Sequence, residues 1–280
     1  MSHKLSTDKK NLPIGVFDSG VGGLTVLRAL HDLLPNENFL YLGDTARVPY
    51  GTKSPESVVR YALQAGGALV AEGIKMLVIA CNTATAVSLK ALSEAYSPLS
   101  VIGVVEPGAT AACAASSGGK IAVIATSSTV NGGVYQKTIC RMHPDAEIIA
   151  QPCPLFVGLA EEGWTEGELV EGIAARYINP LFEKFGDDGP DTLVLGCTHF
   201  PVLRGAIENV VGKKVVLVDS AETTAIKVKN TLNSLTLRNP SKEKGVLSFL
   251  ATDCAESFAE VGGRFLGTEI NLEDVRVVDL

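Results

Sequence analysis

Short apolar runs rich in Val, Ile and Leu recur along the chain, each closed by a glycine or polar turn and followed by a stretch with apolar residues at helical spacing. That alternation predicts an α/β fold, parallel strands wrapped in helices. Strands are predicted at 14–17, 39–42, 76–80, 101–105, 121–124, 147–149, 192–196 and 215–218, with a late pair at 246–251 and 275–279. Helical periodicity covers 24–34, 57–72, 84–95, 166–185 and 223–232, and Pro35, Pro98 and the 186–190 stretch punctuate helix ends.

The strands also repeat. Met-Leu-Val-Ile-Ala-Cys (76–81) parallels Thr-Leu-Val-Leu-Gly-Cys (192–197), Ile14-Gly-Val-Phe parallels Ile121-Ala-Val-Ile, and Val101-Ile-Gly-Val-Val parallels Val215-Val-Leu-Val. Any one pair of hydrophobic strands looks alike, but three pairs in the same order predict two similar lobes, pseudo-twofold related, each with a mainly parallel sheet flanked by helices. Residues 13–105 with 221–280 are expected to form one lobe and 106–220 the other, behind a polar tail at 1–12. Ligands of open α/β sheets bind beyond the carboxyl ends of strands, so Asp18, Cys81 and Cys197 should face a cleft between the lobes, which are expected to close over the ligand.

Composition narrows the partner. The 280 residues are 46% hydrophobic and 20% charged, which excludes disorder over most of the length. Thirty-one acidic against twenty-four basic residues give a net charge of -7, so neither nucleic acid nor an anionic membrane is an expected partner, and a small ligand is. The first residues carry no apolar signal region, and no apolar run approaches the roughly 18 residues of a membrane span, so a cytoplasmic location is expected. The six cysteines form no CxxC pair, which predicts free thiols rather than a zinc site or redox couple.

Two of those thiols stand out. Cys81, in Ala80-Cys-Asn-Thr, follows a buried strand and precedes a helix, where amides and the helix dipole favour a thiolate. Cys197 repeats the arrangement in Gly196-Cys-Thr-His, whereas Cys113, Cys140, Cys153 and Cys254 read as packing residues. Two bases on opposite faces of one cleft suit removal of a proton from carbon on one side and its return on the other, which inverts a stereocentre. The charge developing next to a carboxylate needs donors, and Asn82, Thr83 and Thr198 are placed to supply them.

Asp18 and Ser19 open Asp-Ser-Gly-Val-Gly-Gly, whose glycines permit a tight turn and close approach of a ligand. A dinucleotide fingerprint is discounted because Thr25 occupies the third glycine position and Asp18 would repel a pyrophosphate. Asp18 is open between a helix cap and an ammonium-binding or proton-shuttling role. Of four histidines, His199 alone lies near a candidate thiol. Glu161 and Glu162 precede an expected helix cap at Thr165 and read by default as solvated charges. The loop at 48–53, with Tyr50 and Gly51, could offer amides to a carboxylate.

Together, Asp18-Ser-Gly-Val-Gly-Gly-Leu, Val48-Pro-Tyr-Gly, Ala80-Cys-Asn-Thr-Ala-Thr, Val105-Glu-Pro-Gly and Leu195-Gly-Cys-Thr-His-Phe-Pro resemble the glutamate racemase family from about residue 13 onward. The resemblance implies an isomerase that interconverts L- and D-glutamate without pyridoxal phosphate or metal, supplying D-glutamate for peptidoglycan. It implies that Cys81 works on the D-isomer and Cys197 on the L-isomer, that Asp18 is the acid near the first thiol, and that Glu161 and His199 are the polar pair near the second. One residue of register separates Glu161 from Glu162. Asp18, Ser19, Tyr50, Gly51, Asn82, Thr83, Thr198 and His199 match substrate-contacting positions. A homodimer is expected, with an interface not legible in the sequence.

Three other readings compete. An aspartate racemase shares the Cys-Asn-Thr element, a Cys-His hydrolase or transferase would use Cys197 alone, and a two-lobed amino-acid binder would hold glutamate without turning it over.

Overall fold

A computed structural model describes residues 9–280; of the polar tail expected at 1–12, residues 1–8 lie outside that range. Among the described residues, ten parallel-paired strands form two sheets. β1 (Ile14–Asp18), β2 (Phe39–Gly43), β3 (Met76–Ile79), β4 (Ser100–Gly103), β9 (Leu247–Ala251) and β10 (Val275–Val277) make a six-stranded sheet in the order β10-β9-β2-β1-β3-β4. β5 (Lys120–Ala125), β6 (Glu147–Pro152), β7 (Thr192–Gly196) and β8 (Val216–Asp219) make a four-stranded sheet in the order β6-β5-β7-β8. The α/β class with two helix-flanked parallel sheets is as the hydrophobic pattern predicts.

The second sheet reproduces the order β2-β1-β3-β4 of the first. β1 therefore answers to β5, β3 to β7 and β4 to β8, which are the three strand pairs that resemble each other in sequence. In each set the chain adds a strand on one side of the first and then crosses to the other side, leaving a switch point between β1 and β3 and another between β5 and β7. Asp18 and Cys81 stand at the first, Thr126 and Cys197 at the second.

Every residue of β1, β3 and β7 is buried, as strands covered by helices on both faces must be. The largest buried apolar cluster runs through both sheets, joining Val16 and Val78 of the first to Ile124 and Leu195 of the second. The helix Ser220–Ser234 stitches them, packing on Leu24–Leu33 and on Val105–Ala115. After it the chain returns to the first sheet, where β9 pairs with β2 and β10 with β9. Among the described residues no helix is long and apolar enough to cross a membrane.

Several boundaries differ from the sequence expectation. The strand predicted to reach residue 105 stops at Gly103, because Val104 already adopts helical dihedrals and Val105–Ala115 is a helix despite Pro107, which sits harmlessly in its first turn. The helix after Cys81 starts at Asn82, two residues early, with Cys81 itself as the N-cap. Thr165 does not cap the following helix; that helix, Glu168–Glu183, is entered through Gly167 at φ 93°, a left-handed turn open to glycine.

Candidate active site

Cys81 leaves β3 with its sulfur aimed along the helix that follows, where Sγ accepts from the Ala84 amide at 3.4 Å and lies 3.6 Å from Ser19 Oγ. Burial pushes this thiol up to about 12, the Asp18 carboxyl beside it adds to the rise, and the hydrogen bonds with Ala84 and Ser19 recover only part. The helix terminus alone therefore does not make a standing thiolate here, contrary to the expectation from sequence. At the end of β1, Asp18 is fully buried; Oδ2 accepts from the Gly20 amide at 3.0 Å and Oδ1 has no partner among the described residues. Burial raises the Asp18 carboxyl, with the neighbouring His199 pulling the other way. Asp18 braces the turn rather than capping Leu24–Leu33, for which Gly23 is the uncapped N-cap residue.

On the other sheet Cys197 follows β7, with Sγ 3.8 Å from His199 Nδ1. His199 Nε2 meets Glu161 Oε1 at 2.9 Å, so the sulfur, imidazole and carboxylate form a line. Burial by itself would lower His199, but its bonds to Cys197 and Glu161 outweigh that and hold it up at about 10, an imidazolium through neutral pH. Of the adjacent glutamates it is Glu161, at the end of the helix Leu155–Glu161, that meets His199, while Glu162 is exposed.

The C-terminal helix Ala255–Leu266 fastens this line. Phe265 stacks edge-on against the His199 ring at 5.2 Å between centroids, and Arg264 Nη1 donates to the Glu161 carbonyl at 2.9 Å. Because His199 is charged in the fold, wild type should exceed His199→Gln in stability fully below about pH 6.5, the ordinary imidazole value, and that margin should fade as pH climbs through about 10. Urea midpoints of the two proteins across pH 5 to 10.5 check this; a pH-independent difference contradicts it.

The glycine-rich turn has a different use from the one its sequence suggests. A Cβ on Gly22 would sit 2.4 Å from His199 Nδ1 and 2.5 Å from Thr198 Oγ1, and one on Gly23 would sit 2.5 Å from the Asp18 Cβ. The bare backbone thus makes room for the protein's own side chains, bringing the Cys197 segment against the first sheet. Thr25 secures that contact by donating to the Thr198 carbonyl at 3.1 Å.

The loop at 48–53 closes the site from the side. Tyr50, buried, donates its hydroxyl to Asp44, whose carboxylate also accepts from Arg47 and from Thr252 just after β9. Gly51 rests on Thr126, where a Cβ would lie 2.9 Å from the threonine Cβ. Thr83 Oγ1 in turn lies 3.0 Å from Thr126 Oγ1 and 3.2 Å from Thr129 Oγ1, a hydroxyl seam between the sheets. Thr126 and Thr129 are not singled out by sequence, yet the internal repeat points to Thr126, which follows β5 as Ser19 follows β1.

Both sulfurs open on one cavity of about 30 Å³, whose walls include Ser19, Tyr50, Gly51, Asn82, Thr83, Thr198 and His199. Asp18 stands behind Ser19 and does not line it. As it stands the cavity is small. Val48 and Pro49 of the loop, and Thr126 and Val157 from the second sheet's segments, complete the lining. Among the described residues no three His, Cys, Asp or Glu side chains are grouped to hold a metal ion.

The sequence model of the Asp/Glu/Hydantoin racemase family matches residues 14–228, a span that holds both thiols. The chain belongs to that family. Within it, a glutamate racemase of Geobacter metallireducens is 48% identical over 267 residues, covering 95% of this chain and 96% of the relative. Among racemases of known structure, one from Bacillus anthracis superposes with a TM-score of 0.90 at 36% identity, covering 97% of this chain and 98% of that one. The glutamate racemase of Francisella tularensis, crystallised with D-glutamate, gives 0.88 at 35% identity over 96% and 98%. The chain is thus an amino-acid racemase, an isomerase, by family and by fold.

Proposed function

We propose that this racemase interconverts L- and D-glutamate with two thiols and no cofactor, Cys197 serving the L-isomer and Cys81 the D-isomer. The observation that carries the reading is the single cavity onto which sulfurs from the strand ends of two different sheets open. With L-glutamate bound, the Cys197 thiolate takes the α-proton, and the Cys81 S–H delivers a proton to the opposite face of the planar carbanion. The sulfurs then hold exchanged protonation states, which are those the reverse reaction starts from.

The surroundings fit that division. The raised Cys81 is a proton donor at rest, whereas Cys197 lies against the His199 imidazolium. Glu161 holds the imidazolium in place, and Asp18, kept prone to protonation by burial, is the acid on the Cys81 side. Ser19, Asn82, Thr83 and Thr198 with the loop at Tyr50 and Gly51 supply donors for the substrate carboxylates. The small closed cavity excludes water from both sulfurs once the ligand is in.

Lobes of residues 13–105 with 221–280 and of 106–220, moving apart about the cavity, complete this reading; two sheets with separate strand sets support it. D-glutamate for peptidoglycan and a cytoplasmic location go with the substrate assignment. A homodimer belongs to the same proposal, with the exposed Leu155, Trp164 and Leu169 around the Glu161 segment as apolar surface for it.

Circular dichroism of L-glutamate and of D-glutamate, each incubated with the protein in deuterated water, tests the proposal. Both should converge on zero ellipticity with deuterium at Cα of the product. Inversion of aspartate at a comparable rate, or product without label, overturns it.

A further inference from the structure

The Asn82 carboxamide, next to Cys81, is held from the opposite sheet. Tyr135, on the helix Val134–Met142 that packs over the second sheet, is buried and donates its hydroxyl to Asn82 Oδ1 at 2.7 Å. Asn82 is also buried, lines the cavity, and its Nδ2 has no acceptor among the described residues. An amide with its oxygen engaged by an O–H on one side must direct its NH2 to the other, and a buried NH2 without an acceptor is costly unless a ligand supplies one.

The tyrosine ring has a cleared slot. A Cβ on Gly196, the residue before Cys197, would lie 3.0 Å from Tyr135 Cε2 and 3.0 Å from the Ile124 carbonyl; one on Gly108 would lie 3.1 Å from the phenol oxygen. The same side chain therefore presses on the backbone that leads to one sulfur and holds the side chain that follows the other. Burial, the largest influence, raises the phenol above its ordinary value, so it remains a donor wherever the enzyme works.

We propose that Tyr135 is a positioning residue: its hydroxyl fixes the Asn82 carboxamide so that Nδ2 donates into the cavity to a carboxylate oxygen of the substrate. The inference rests on the two-thiol glutamate reading above. An amide free to rotate would present oxygen or nitrogen to that carboxylate, and the carbonyl orientation repels it most strongly as charge accumulates on the α-carboxylate in the transition state.

The test is a double-mutant cycle of wild type, Tyr135→Phe, Asn82→Ala and the double variant, with kcat and KM measured in both directions. Tyr135→Phe keeps the ring in its slot and should leave the melting temperature close to wild type while lowering kcat/KM about tenfold, mostly through kcat, in both directions. Asn82→Ala should lose more, and adding Tyr135→Phe to it should cost nothing further. Wild-type kinetics for Tyr135→Phe, or the same tenfold loss repeated in the Asn82→Ala background, overturns the inference. If the phenylalanine variant melts early, the cycle is run well below its transition and the additivity still decides. A wild-type protein that does not turn over glutamate sinks the functional reading instead, so the two failures are separate results.

Discussion

Alanine at Cys81 or at Cys197 is expected to lower racemisation by at least ~10³-fold, within the range a positioned acid or base contributes, in both directions alike. Each half of the reaction needs both sulfurs, one to take a proton and one to give it, so neither variant can complete an inversion. What should differ is exchange without inversion. Cys81→Ala still carries the base for the L-isomer and should slowly trade the α-proton of L-glutamate for deuterium, leaving D-glutamate untouched; Cys197→Ala should do the reverse. Loss of the α-proton signal in deuterated water, followed for each enantiomer separately, reads this directly. A single-nucleophile mechanism through Cys197 predicts full activity for Cys81→Ala, and that result would remove the two-sided scheme. Each substitution removes only a single sulfur from the core, so the variants should remain folded.

A methyl group at Gly22 should cost about 100-fold in kcat/KM, the scale expected when a catalytic group moves by about an ångström. The added Cβ arrives 2.4 Å from His199 Nδ1, closer than two unbonded atoms tolerate. The imidazole cannot retreat, because Phe265 backs its ring and Glu161 holds Nε2. It must shift along Cys197, spoiling the contact that readies that sulfur. Gly205, on the helix Arg204–Val211, has nothing within 4 Å of its would-be Cβ and serves as the comparison: Gly205→Ala should match wild type. Equal activity of the two alanine variants would show that His199 needs no fixed place.

How much of this was legible in the sequence follows from what each residue depends on. β1, β3 and β7 are covered on both faces, so their apolar runs had to be near-continuous, and the matching of 76–81 with 192–197 anticipates the shared strand order of the two sheets. The strand-end placement of Asp18, Cys81 and Cys197 follows from that order. Helices with weak apolar stripes were not legible: in Val105–Ala115 alanines and a proline blur the period, and tertiary burial decides the conformation. The Glu161–His199 bond joins residues far apart in the chain and has no local signature. The fate of the Cys81 proton also depends on three-dimensional surroundings, since burial and Asp18 outweigh the local helix terminus that the sequence displays. Tyr135 was invisible because its partners, Asn82, Gly108 and Gly196, converge only in the folded chain.

The helix Ala255–Leu266 is made after the active-site residues it steadies. On the ribosome both thiols, the imidazole and its glutamate emerge well before Phe265 and Arg264 exist to brace them. A nascent chain halted short of residue 264 would hold the sulfur pair but an unanchored base, so competence is conferred late in translation.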